Sequence, residues 1–347
     1  MKEIRTEDAV GHILCHDITQ IIKDEKKGVL FKKGHVVKED DIPLLLSVGK
    51  EHLFVWEKKE GILHENEAAE ILYRICAGDS LKMHGTDIKE GKIEVVSEID
   101  GVLKIRREAL VAVNSLGEMM IASRHGNFPV KTGDKIAGTR IIPLVIEEEK
   151  MQKACEVAGK EPIFRILPYQ KKKAGIVTTG SEVYYHRIED KFTPVVIEKL
   201  KECGVTEAKQ IQCNDDHEMI MEAIQTLIED GSDLIVCTGG MSVDPDDRTP
   251  LAIKNACTEV VTYGAPVLPG AMFMLAYCEK EGRQIPVMGL PGCVMYAKRT
   301  IFDLVLPRIM CDEKLHEKDF QLLGQGGLCL SCPVCTFPNC GFGKGGY

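Results

Sequence analysis

The sequence has no apolar run long enough to span a bilayer, and its opening, MKEIRTEDAV, is charged rather than leader-like. These absences lead us to expect a soluble, cytoplasmic protein with no membrane partner. No strand-to-helix turn carries the dinucleotide pattern G-x-G-x-x-G or a P-loop, so NAD and ordinary ATP binding lose support. A G-x-S-x-G elbow and an H-E-x-x-H helix are both missing, which leaves serine-hydrolase and zincin chemistry without a motif. Positive charge is scarce as well: 44 Lys+Arg stand against 53 Asp+Glu, a net charge of −9. That balance argues against a general nucleic-acid binder and leaves room only for a local basic pocket. No internal repeat is evident.

What remains is globular material, 44% hydrophobic and 28% charged over 347 residues, enough for two or three domains with real cores. Fourteen cysteines divide into two groups. Ten are scattered, often inside apolar stretches as at Cys237, Cys278 and Cys293, where a reduced thiol acts as a small hydrophobe. The other four, Cys329, Cys332, Cys335 and Cys340, crowd the end of the chain. In a sequence with no export signal this distribution points to a reducing compartment rather than a disulfide scaffold.

Four regions follow from the pattern along the chain. Residues 1–59 read as a small α/β unit, and residues 60–172 as a helical stretch to about 77, then short strands punctuated by glycines, then a charged connector. Residues 173–312 alternate strands and helices, which predicts a parallel sheet with crossover helices, and 313–347 form a Cys-rich tail. In the alternating region the expected strands are 174–177, 207–213, 233–237, 259–262 and 285–289. The expected helices are 192–203, 215–229, 249–256 and 294–310.

Open parallel sheets bind ligands at the carboxyl ends of their strands. Three glycine turns fall at such ends: TTGSE (178–182), TGGMS (238–242) and LPG (290–292). Glycines let the backbone approach a ligand, while hydroxyls and helix N-terminal amides can hold an anion. After TGGMS comes VDPDDRTP, whose Asp244, Asp246 and Asp247 suit hard oxygen ligation of Mg²⁺ beside a phosphate, although carboxylates there can equally be caps. Asp215 carries the same ambiguity, and Asp216 is expected to cap the helix that follows.

The region 173–308 resembles the molybdopterin-binding domain of molybdenum-cofactor biosynthesis proteins. The resemblance rests on TTGSE, NDDHEMI, CTGGMSVDPDDRTP, VLPG (267–270) and GLPGCVMYAKRTIFDLVLP in this order, and residues 9–18 and 32–57 loosely resemble the opening of the insertase branch. It implies binding of molybdopterin or its adenylate and, in the insertase branch, Mg²⁺-dependent uptake of molybdate with release of AMP. Carried over by position, Thr179, Gly180, Ser181 and Glu182 would form the first ligand loop. Thr238, Gly239, Gly240 and Ser242 would cradle phosphate or pterin, and Pro291 and Gly292 would complete the rim. Asp215 and Asp247 match catalytic or metal-linked positions, with Asp244 a further Mg²⁺ ligand. Arg248 and Lys298 are electrostatic candidates for the anion rather than motif matches.

Two departures keep alternatives open. The insertase's early Asp-Gly-Tyr-Ala stretch has no counterpart, and its small C-terminal β domain is missing, so a non-catalytic molybdopterin carrier, storage protein or sensor is the rival. A nucleotide-processing enzyme of the CinA-like branch is a third reading. The resemblance also implies a homodimer, with apo-molybdoenzymes as candidate partners. The tail spacing Cys329-x2-Cys332-x2-Cys335-x4-Cys340 places four thiolates where they could surround one tetrahedral zinc ion or an iron–sulfur cluster.

Overall fold

The computed structural model describes residues 2–22, 26–55, 60–242, 244 and 247–345. Its chain forms two units: Met1–Glu98, Ile105–Arg124 and Gly133–Arg165 make the first, and Ile99–Lys104, His125–Thr132 and Ile166–Tyr347 the second.

In the first unit, strands Lys2–Arg5 and His52–Val55 pair antiparallel, as do Ile18–Ile22 and Lys26–Phe31. Ala9, Leu14, Ile18, Leu45 and Leu53 form a small core there. Helix Glu65–Ala77 follows a strand, Ile62–His64, so the helix expected from residue 60 begins later. The cause is local: His64 accepts from the Asn66 amide, and Glu67 reaches back to the His64 amide 2.9 Å away. A four-stranded antiparallel sheet runs in the order Met83–Gly85, Lys92–Ser97, Lys135–Ile141, Met119–Ser123. Within the stretch expected to hold only short strands lies helix Arg107–Asn114, because Ala109 and Val113 sit four apart and bury one helical face. The charged connector includes helix Glu148–Ala158, which buries Met151, Ala154 and Ala158 at the same kind of spacing.

The second unit is built on six strands: β1 (Lys173–Thr179), β2 (Glu207–Cys213), β3 (Leu234–Thr238), β4 (Glu259–Tyr263), β5 (Met274–Lys280) and β6 (Arg283–Leu290). Their order is β2-β1-β3-β6-β5-β4. The first four in this order are parallel, as the alternation predicts, while at the other edge β5 pairs antiparallel with both β6 and β4. Helices α1 (Phe192–Glu202), α2 (His217–Glu229), α3 (Thr249–Ala256) and α4 (Ile301–Met310) cover both faces. The two-residue period of β3 divides the core. Leu234 and Val236 pack with α1 and α4, whereas Ile235 and Cys237 pack with α2 and α3.

The helix expected over 294–310 is interrupted. A 3₁₀ turn covers Gly292–Met295, and α4 starts only at Ile301. Thr300 accepts from the Phe302 amide at 3.2 Å while Asp303 accepts from the Thr300 amide at 2.7 Å, a reciprocal cap that fixes the new start.

Candidate functional site

Neighbouring β1, β3 and β6 are parallel, with Thr178 opposite Thr238 and Thr238 opposite Leu290. Their carboxyl ends therefore coincide, and the three glycine turns emerge at one edge of the sheet. A layer of hydroxyls lies just beneath. Thr179 Oγ1 donates to the Thr238 carbonyl at 3.1 Å and meets Thr249 Oγ1 at 3.0 Å, with all three residues buried.

Two glycines are dictated by this packing. Gly239 and Gly240 have φ of +88° and +54°, and a Cβ on Gly239 would lie 2.3 Å from the Thr179 carbonyl oxygen. No other residue fits at position 239 without moving the backbone. The acidic residues hold the turns from behind. Asp215 Oδ2 accepts from the Ser181 amide at 2.8 Å, and Asp247 Oδ2 accepts from the Ser242 amide at 2.7 Å. Asp216 caps α2 through the Met219 amide at 3.0 Å, as expected. Asp244 is exposed, its carbonyl accepting from the Asp247 amide at 3.0 Å, and Asp246 lies outside the described residues.

Thr238 stands apart in this array. Its Oγ1 is fully buried yet has no hydrogen-bond partner among the described residues. A buried hydroxyl left unpaired costs free energy, and such groups are found where a ligand or water completes the set.

The cationic candidates separate. Arg248 is exposed beside the start of α3. Lys298 instead turns to the tail, its Nζ donating to the Pro333 carbonyl at 3.0 Å. Pro291 and Gly292 begin the 3₁₀ turn after β6.

Several polar groups have no motif that would reveal them. Thr178, Thr193, Asp190 and Gln210 form one network below the first turn. Gln210 Nε2 lies 2.9, 3.0 and 2.7 Å from Thr178 Oγ1, Thr193 Oγ1 and Asp190 Oδ2. Burial alone would raise the Asp190 carboxyl, but hydrogen bonds from Thr193, Gln210 and the Phe192 amide outweigh it and hold the group below its ordinary value. Tyr263 donates to the Met241 carbonyl at 3.1 Å, and burial, with the charge of Asp247, pushes its phenol up. Asp303, almost fully buried, binds Lys199 Nζ through both oxygens at 2.7 and 2.9 Å and receives Arg299 at 2.8 Å. In the first unit, buried His64 sits between the Cys15 carbonyl (2.7 Å from Nε2) and Lys33 Nζ (2.8 Å from Nδ1), with burial pulling its pKa down. A cavity of about 350 Å³ in the second unit is lined by Tyr169, Lys199, Arg299, Asp303 and Phe337 among others, and none of the three glycine turns reaches it.

The tail is docked, not loose. Leu268 and Leu328 pair, the Cys329 amide donates to the Leu268 carbonyl at 2.8 Å, and Phe342 is buried against Leu304 and the rest of the core. Cys332 and Cys335 are exposed, Cys329 and Cys340 half-buried, and none is in a disulfide. Among the described residues no three His, Cys, Asp or Glu side chains are placed to hold a metal ion, either here or at Asp244 and Asp247. No helix among them is long and apolar enough to cross a membrane.

Comparison with known proteins finds family matches over two segments. Residues 175–310 match a family described as "probable molybdopterin binding domain", and residues 3–57 match a domain of unknown function. A CinA-like protein of Mycobacterium sp. (strain MCS) is 36% identical over 85 residues, 24% of this chain and 20% of that protein. The chain thus spans about a fifth of the length of the curated relatives it matches. Among solved structures, the tungsten cofactor synthesizing protein MoaB from Pyrococcus furiosus is 23% identical, covering 36% of this chain and 84% of that one, with a TM-score of 0.32. The molybdopterin biosynthesis Mog protein from Mycobacterium ulcerans is 19% identical, covering 40% and 92%, with a TM-score of 0.32. The family match thus falls on the segment that carries the three glycine turns, residues 175–310, and is to a probable molybdopterin-binding domain.

Proposed function

We propose that the protein binds molybdopterin or adenylyl-molybdopterin at the rim of the second unit's sheet and inserts molybdate with release of AMP. The observation that carries this reading is the three turns on adjacent parallel strands, with the unpartnered Thr238 hydroxyl between them. In this reading the amides of Gly239 and Gly240 and the Ser242 hydroxyl cradle the phosphate, and the Thr238 hydroxyl completes its hydrogen bonding there. Residues 179–182 and Pro291–Gly292 border the pterin, and Arg248 draws the anion in. Lys298 keeps the tail beside the rim instead.

Mg²⁺ fits one donor set. Asp247 commits Oδ2 to Ser242, which leaves Oδ1 for an ion that usually takes one or two carboxylates and completes its shell with waters and substrate phosphate. Asp247, with Asp244, would hold it, and its charge would offset that of the displaced adenylyl phosphate. Asp215 acts by fixing the Ser181 turn. The tail thiolates would take zinc or an iron–sulfur cluster. Cytoplasmic location, a homodimer and delivery to apo-molybdoenzymes complete the reading.

One observation favours a second reading, a non-catalytic carrier, storage protein or sensor: Asp215 and Asp247 both already accept backbone amides. Anaerobic incubation with adenylyl-molybdopterin, Mg²⁺ and molybdate separates the two. Molybdate-dependent AMP release, abolished in Asp247→Ala, is the expected result, whereas tight pterin binding without AMP would establish the carrier. For the tail, elemental analysis of anaerobically purified protein should find zinc or iron at about one site per chain. It should be lost when Cys332 and Cys335 are both changed to Ser, and metal-free wild type would remove that part of the reading.

A further inference from the structure

Away from the rim and the tail, two cysteines face each other. Cys257 closes the carboxyl end of α3 and Cys278 lies on β5, with their Sγ atoms 2.8 Å apart and neither in a disulfide. The surrounding backbone holds them there. The Cys257 amide bonds the Ile253 carbonyl at 3.1 Å, the Thr258 amide and hydroxyl both bond the Tyr277 carbonyl at 3.0 and 2.9 Å, and Cys278 Sγ lies 3.4 Å from the Ala256 carbonyl. The two thiols differ in access: Cys278 is buried, Cys257 only half-buried.

The buried scattered thiols elsewhere behave as core filler. Burial pushes Cys213 up to about 11 and Cys203 up to about 12, which suppresses the reactive thiolate. Cys278 moves the other way. The hydrogen bond from Cys257 stabilises its thiolate by more than burial opposes it, and the thiol is held below its ordinary value while Cys257 is raised.

We propose that Cys257 and Cys278 are a redox-active dithiol that closes reversibly to a disulfide, a modification site on the helix that carries the rim loop. The oxidant is a low-molecular-weight disulfide. Half-buried Cys257, passing its proton across the 2.8 Å contact to the Cys278 thiolate, attacks one of its sulfurs, releasing one small thiolate and forming a mixed disulfide. That thiolate takes the proton from Cys278, which then attacks the Cys257 sulfur, expelling the second small thiol and forming the S–S bond. Two protein thiols are oxidised and one small disulfide is reduced to two thiols. The bond would tie the end of α3 to β5, while the other end of α3, at Thr249, touches the rim hydroxyl of Thr179.

The test uses the full chain equilibrated with oxidised glutathione, then denatured, alkylated and mapped by mass spectrometry. A Cys257–Cys278 linked peptide pair is expected, reversed by dithiothreitol. The treated protein should melt several degrees higher than Cys257→Ser or Cys278→Ala treated alike. Exposed Cys155, outside the rim and the tail, serves as the internal control for oxidant reactivity. If it is glutathionylated while Cys257 and Cys278 are recovered unlinked, the proposal is overturned. Linkage of either cysteine to some other partner overturns it too. The pterin reading is untouched by either result, because neither thiol lies in the rim.

Discussion

The rim and the tail are both glycine-rich segments of the second unit, yet they are organised in opposite ways. At the rim, the close approach of Gly239 to Thr179 is surrounded by buried hydroxyls and by carboxylates that accept turn amides. In the tail, glycines allow equally close approach: a Cβ on Gly327 would lie 2.3 Å from the Pro266 carbonyl, and one on Gly343 2.4 Å from Leu304. Between those fastenings the tail turns its chemistry outward, with Cys332, Cys335, Leu330 and Val334 all exposed. The lesson is about preorganisation. The rim already has the shape of a site, whereas the tail is pinned near both ends, with the Gly343 amide on the Gly326 carbonyl at 2.9 Å, and leaves its middle open.

The sharpest way to break this contrast is at the tail's anchor. Phe342→Ala removes a ring that is 4% exposed and should cost about 3–5 kcal/mol in urea unfolding, as for other buried Phe truncations, while pterin affinity holds. Equal loss of pterin binding would mean that rim and tail are one structure. Next, Gly239→Ala combines positive φ with backbone overlap. It should cost roughly 2–3 kcal/mol and abolish pterin binding by calorimetry, while Gly341→Ala, with open space around its Cβ, stays within about 0.5 kcal/mol.

The fastening at the start of the tail gives a pH test. Arg308 pairs with Glu313 and with Asp319 at 2.7 Å. Burial alone would raise both carboxyls, yet the bonds to Arg308 (joined at Asp319 by the His316 amide) hold them below their ordinary values. A depressed carboxyl contributes its stability above the unfolded pKa and loses it as pH falls through the folded one. The melting temperature should therefore decline as pH drops below about 4, the ordinary carboxylate range, and Arg308→Met should flatten that decline. The smallest effect has the opposite sign. Thr238→Val removes an unpartnered hydroxyl, so it should stabilise the ligand-free protein by about 1 kcal/mol while weakening pterin binding.

The sequence made the rim legible because glycine, threonine and buried-strand patterns are local signals that parallel pairing then brings together. Strand direction at the other edge was less visible, although one cue exists. β5 and β6 are joined by Glu281 and Gly282 alone, with φ of +52° and +76°, the two-residue reverse turn of an antiparallel hairpin. The break before α4 also had a signature, Thr300-x-x-Asp303, masked by apolar residues that recur both before it (Val294, Met295, Tyr296) and after it (Leu304, Val305, Leu306). The redirection of Lys298 to Pro333 and the meeting of Cys257 with Cys278 had none, since each joins residues brought close only by the tertiary fold.

The division of the chain has a bearing on biosynthesis. Residues 99–104 and 125–132 belong to the second unit but are translated well before residues 173–290, which form its main sheet. As the chain leaves the ribosome, these two stretches can pair only with each other, Val102 opposite Pro129 and Gly101 opposite Val130, while the first unit's later segments are still emerging. A fragment starting at residue 166 would lack both, so cutting there would sever a unit rather than isolate it.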